Sequence, residues 1–61
     1  MTKQFMEKVL KFRMVDTRNY RYVAEECHNA DEQWLEIRRL PLELLDTTAA
    51  LTEWETVAKI S

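Results

Sequence analysis

The chain has 61 residues, a formal net charge of −2, 46% apolar and 33% charged side chains, and no glycine. That length holds one domain, residues 1–61, and that balance of apolar to charged side chains belongs to a folded chain rather than a disordered one. A single cysteine, Cys27, excludes an intramolecular disulfide, and no apolar run approaches the ~20 residues of a membrane-spanning helix.

Residues 1–7 read as a lead-in to a first strand. From residue 8 the chain alternates: Leu10, Phe12 and Met14 are separated by Lys11 and Arg13, and Tyr20, Tyr22 and Ala24 by Arg21 and Val23. A period of two places alternate side chains on opposite faces of a strand, which predicts a β-hairpin over residues 8–26. A three-residue loop, Thr17-Arg18-Asn19, puts Met14 opposite Tyr22, Phe12 opposite Ala24 and Lys11 opposite Glu25, with Asn19 in the left-handed conformation. The competing reading is helical. Phe5, Met6, Val9, Leu10 and Phe12 make a helix stripe, and residues 20, 23, 27, 30, 34 and 37 trace a short heptad seam.

Residues 25–32 are polar and acidic and read as a connection, in which Asn29 followed by Glu32 resembles a helix capping box. Leu35 and Ile37 alternate with Glu36 and Arg38, which predicts a short third strand over residues 33–40, ended by Pro41. Residues 42–45 form an apolar connector, and Asp46, Thr47 or Thr48 can cap a following helix. Ala50, Leu51, Trp54, Val57 and Ala58 then recur at helical spacing, with Thr52, Glu53, Glu55, Thr56 and Lys59 on the other side. An amphipathic helix over residues 49–60 follows, with Trp54 as its anchor onto Phe12, Met14 and Tyr22. The expected fold class is α+β: a small antiparallel two- or three-stranded sheet with the C-terminal helix packed on one face. The alternative is a small all-α bundle.

Chemistry is sparse. Cys27 and His28, with Asp31 and Glu32 nearby, fall short of a zinc ligand set, and adjacent residues on a strand point apart, which disfavours a nucleophile pair. The carboxylate pairs Glu25-Glu26 and Glu53/Glu55 have no pocket or third group around them. The expectation is a non-enzymatic chain with no metal and no cofactor.

Charge is uneven. Residues 1–21 hold Lys3, Lys8, Lys11, Arg13, Arg18 and Arg21 against Glu7 and Asp16, a net +4, while residues 22–61 hold three cations against nine acids, a net −6. The acidic body offers Glu25, Glu26, Asp31, Glu32, Glu36, Glu53 and Glu55 as a candidate protein-binding surface, since complementary fields speed encounter and set orientation. Lys11, Arg13, Arg18 and Arg21 make a candidate basic patch. In the predicted hairpin Lys11, Arg13 and Arg21 turn away from the tyrosines, so the ring-plus-cation platform of single-strand binders fails, and the acidic body opposes duplex binding.

The expected function is that of a small protein-binding module. Its sharper form is a phage or mobile-element inhibitor that docks an acidic face on a basic, nucleic-acid-handling host protein of the defence or transcription machinery. The alternative is a dimeric nucleic-acid-binding regulator using the hairpin's basic face. A small core without a covalent staple also favours a homodimer or a tight partner. The N-terminus lacks the apolar run of a signal peptide, so the expected setting is cytoplasmic, without membrane contact.

Overall fold

A computed structural model of the chain describes residues 2–61. In chain order it holds helix α1 (Lys3–Phe12), strands β1 (Met14–Asp16), β2 (Tyr20–His28) and β3 (Gln33–Pro41), a 3-10 turn (Leu42–Leu44), the short helix α2 (Ala49–Thr52) and strand β4 (Glu55–Ile60). The strands form one antiparallel sheet in the order β1-β2-β3-β4.

α1 starts because Thr2 caps it: the Thr2 hydroxyl accepts the Phe5 backbone N–H at 3.1 Å. Phe5, Met6, Val9 and Leu10 then share one face and turn inward, while Lys3, Gln4, Glu7, Lys8 and Lys11 stay exposed. The helix stops at Arg13, whose φ of 67° is the one positive value among the described residues. The Arg13 N–H donates to the Val9 carbonyl at 2.7 Å, the left-handed cap that glycine usually supplies. A non-glycine residue pays roughly 1–2 kcal/mol there. The reversal feeds the chain directly into β1 and folds α1 back over β1, β2 and β3.

This corrects the predicted hairpin over residues 8–26. Residues 8–12 are helical, so the alternation of Leu10, Phe12 and Met14 is accidental, and the longer stripe from Phe5 to Leu10 with its N-cap wins. The true hairpin pairs only Met14–Asp16 with β2, in a register one residue away from the expected one: Met14 faces Val23, Val15 faces Tyr22 and Asp16 faces Arg21. Thr17 closes the turn, its N–H donating to the Tyr20 carbonyl at 2.8 Å and its hydroxyl accepting the Tyr20 N–H at 3.3 Å. Asn19 therefore needs no left-handed conformation, and Lys11, on α1, does not face Glu25.

The predicted C-terminal helix is corrected as well. Only Ala49–Thr52 is helical, and Glu55–Ile60 is the outermost strand. Ile37 pairs with Ala58 but Arg38 pairs with Thr56, while β3 keeps an unbroken register with β2. The extra residue is therefore Val57, a β-bulge on β4. Val57 lines a cavity with Phe5 and Tyr22, so Val57 and Ala58 both serve the α1 side in succession. That breaks the period of two and leaves an apolar 54, 57, 58 spacing that imitates a helix. Trp54 is no anchor on Phe12, Met14 and Tyr22: its indole N–H donates to the Ala50 carbonyl at 2.7 Å, and Phe12 and Met14 are 59% and 51% exposed. The sheet equally overturns the all-α alternative; the principal helix is N-terminal.

The third strand lies where the alternation of Leu35 and Ile37 puts it, extended by Pro41. Asn29 and Glu32 close the β2–β3 turn instead of opening a helix. The Asn29 side-chain oxygen accepts the N–H groups of Asp31 and Glu32 at 2.8 and 2.9 Å, and the Asn29 N–H donates to the Glu32 carbonyl at 2.9 Å. Val9, Ile37 and Leu40 are fully buried. Ile37 faces α1. Leu40, three residues on, turns to the opposite side and is fully buried there, and the connection 42–54 that follows carries the half-buried Leu42, Leu44, Leu45 and Trp54.

Candidate interaction surface

Strand pairing sorts the sheet into two faces. Val15, Tyr22, Ala24, Ile37 and Ala58 turn toward α1. The face turned away carries Met14, Val23, Arg38 and Thr56 in one cross-strand row, Glu25, Glu36 and Lys59 in the next, and Cys27 with Trp34 beyond.

Glu36 is the hub of that open face. It accepts the Trp34 indole N–H at 2.7 Å, the Arg38 guanidinium at 3.0 and 3.2 Å, and the Thr56 hydroxyl at 3.2 Å. Directly across the strands stands Glu25, a like charge. Arg38 reconciles the two, reaching Glu25 at 3.1 Å while it holds Glu36. Lys59 closes the arrangement with its ammonium 4.6 Å from the Trp34 ring centre. These donors, the Trp34 indole first and Arg38 next, hold the Glu36 carboxyl down at about 2 against the opposing effect of burial. Glu36 therefore stays charged across the physiological range.

Cys27 belongs to the same face, with Arg38 Nη2 3.9 Å from its sulfur. Burial pushes its thiol up, and the neighbouring Glu36 charge adds to that, with Arg38 opposing. A thiol held protonated is a poor nucleophile. His28, the next residue on the strand, points to the other face, and Asp31 and Glu32 lie in the turn beyond. Among the described residues no group of three or more His, Cys, Asp or Glu side chains is placed to hold a metal ion.

The seven predicted acidic residues do not share one face. Glu25 and Glu36 lie on the open face. Glu26 and Glu55 lie on the α1 side, paired with Arg13 at 3.7 Å and Arg39 at 3.2 Å. Asp31 and Glu32 sit in the β2–β3 turn, and Glu53 follows α2. The predicted basic residues also scatter: Lys11 on α1, Arg13 at its cap, Arg18 in the β1–β2 turn and Arg21 on β2. Arg21 grips Asp16 with two bonds of 2.8 and 3.0 Å, which lowers the Asp16 carboxyl pKa and raises that of Arg21. Arg21 does turn away from the tyrosines, but Arg13 points to their side and Lys11 rides the helix.

Trp34, Arg38 and Arg39 were not singled out by sequence, although a signal exists: Trp34, Glu36 and Arg38 recur with period two and so share one strand face. Arg39 serves the other side, stacked 4.3 Å from the Tyr20 ring centre with Nη1 donating to the Tyr22 hydroxyl at 3.4 Å. No helix of the described residues is long and apolar enough to cross a membrane. Comparison of the chain with protein-family models, with curated proteins and with solved structures finds no match.

Proposed function

We propose that the chain is a non-enzymatic protein-binding module that docks through the face of its sheet turned away from α1. The observation that carries this reading is the mutual locking of Trp34, Glu36, Arg38, Thr56 and Lys59 on that face. Side chains already held in one arrangement lose little freedom on binding, and tryptophan and arginine are the residues that most often anchor protein interfaces.

Charge points to a basic partner. Asp31 and Glu32 in the β2–β3 turn, and Glu43, Asp46 and Glu53 in the β3–β4 connection, pair with no cation among the described residues. β3 runs from that turn to that connection, so these acids bracket the open face at both ends. A basic, nucleic-acid-handling protein met in the cytoplasm fits such a field.

Affinity capture from lysate at low and high salt tests the reading, with wild type beside Trp34→Ala and Arg38→Glu. We expect a basic protein retained by wild type at low salt, released at high salt, and lost from both variants. Retention of the same protein by both variants, or no basic protein at low salt, overturns it. The basic patch is the less favoured surface: Arg13 and Arg21 pair with Glu26 and Asp16, and the remaining Lys11 and Arg18 stand on separate elements, α1 and the β1–β2 turn. No mobility shift of duplex DNA is expected.

A further inference from the structure

We propose that the chain pairs with a second copy of itself through the half of the α1-side face that α1 leaves bare. This is the face opposite the docking surface proposed above, so each can fail without the other.

α1 has ten residues and β2 and β3 nine each. A ten-residue helix is about 15 Å long and a nine-residue strand about 30 Å. The start of α1 lies over Tyr22, Arg39 and Val57, where Thr2 and Phe5 line a shared cavity, and its end lies at Arg13, whose carbonyl accepts the Ala24 N–H. From there toward the β2–β3 turn the face is bare. An open groove of ≈ 390 Å³ lies in that region, lined by the polar Arg13, Glu26, His28 and Gln33 together with the half-buried Leu35 and its strand partner Ile60, with Cys27 and Trp34 also contributing. Phe12, next to Arg13, is exposed.

Three observations name a second copy as the occupant. The accessible surface is 4757 Å², against about 4,200 Å² for a compact monomer of 7.4 kDa. The radius of gyration is 12.0 Å, against about 10.5 Å for a compact chain of this length. The surplus, about 550 Å² over the whole molecule, is about two thirds of what one partner gives up in a standard interface, about 800 Å². The groove region is also self-complementary. An exposed aromatic ring and an apolar floor flank the same helix end, so a two-fold axis brings each Phe12 to the other copy's Leu35 and Ile60. Within one copy Arg13 and Glu26 stand 3.7 Å apart with both side chains exposed, so the same axis lets the two copies exchange this pair across the seam.

The other surfaces suit self-pairing less well. β1 is three residues long and β4 carries the bulge, so both sheet edges are poor templates. The open face is bracketed at both ends by acids unpaired among the described residues, so two copies meeting there would set like charges against each other.

Size-exclusion chromatography with light scattering over a concentration series tests this, with circular dichroism confirming the fold of each variant. Wild type should approach twice 7.4 kDa. Phe12→Ser should weaken the pair at least about tenfold, the loss typical of an interface anchor. Arg13→Glu and Glu26→Arg should each weaken it, and an equimolar mixture of the two variants, in which opposite charges meet only between copies, should restore it. In mixed-label samples, intermolecular NOEs should link the Phe12 ring to Leu35 and Ile60 methyls. A single-chain mass at every concentration overturns the proposal. So does a dimer indifferent to Phe12→Ser, an equimolar mixture of the folded single variants that stays monomeric, or a dimer abolished by Arg38→Glu instead.

Discussion

On the α1 side of β3, Ile37 is fully buried beneath the helix that contributes Val9. One residue earlier on the same strand, Glu36 faces the other way and binds an indole, a guanidinium and a hydroxyl. The first side is held by packing, which has no direction and no charge. The second is held by charge-assisted hydrogen bonds, which have both. A strand period of two lets one segment serve both faces, so the two contributions to stability should be separable by experiment.

The largest effect should come from the packed side. Ile37→Ala removes buried methyl groups from a core with three fully buried side chains, and should cost about 2–5 kcal/mol by chemical denaturation. For a domain this small that approaches the whole folding free energy, so a largely unfolded variant is the expected result.

Acid should break the other side. The Glu36 carboxyl is ordinarily near 4.5 and is held at about 2 in the folded chain. Its contribution is complete above pH 4.5 and is lost as pH falls from there toward 2. Asp16, lowered by its Arg21 bond, acts in the same direction. Thermal melts across that window should fall steeply for wild type. Glu36→Gln should be less stable at neutral pH and flatter with acid; an equally steep decline in this variant would assign the acid sensitivity elsewhere.

Thr2→Ala sharpens the separation. Loss of the α1 cap should cost about 1 kcal/mol, readable from the urea midpoint. Because the cap acts on the packed side alone, the Glu36 carboxyl titration by NMR should not move. Trp34→Phe is the smallest and reciprocal change. It should raise the Glu36 value from about 2 by removing its leading donor, with little loss of the helix-side packing.

The central strands were legible in the residues. Tyr20, Tyr22 and Ala24 on β2 and Leu35 and Ile37 on β3 alternate as paired strands should, and Pro41 marks the last residue of β3. The termini were not. Leu10, Phe12 and Met14 alternate across a helix end, because Arg13 takes a left-handed conformation that local pattern does not announce. Trp54, Val57 and Ala58 imitate a helix because a bulge inserts one residue into a strand. The candidate site was partly visible: Glu25 and Glu36 were named, but as members of a broad acidic face. Their partners Trp34 and Arg38 emerge once the strand is known to be a strand, since only then does period two place them together. The charge asymmetry along the chain misled for a similar reason. The return of α1 brings Arg13 to Glu26 across the two segments, and Arg21 is taken up by Asp16 within its own, so part of the basic patch is tied up in ion pairs that segregation in sequence does not show.

The bulge at Val57 has a further effect on how the molecule behaves in company. A strand that gains a residue twists and presents its amides out of step, and a neighbouring sheet that tries to continue the ladder meets donors and acceptors at the wrong intervals. Growth into filaments requires a flat, repeating border, and this border repeats poorly. Association of this protein should therefore stop at discrete, stoichiometric complexes, even in concentrated solution.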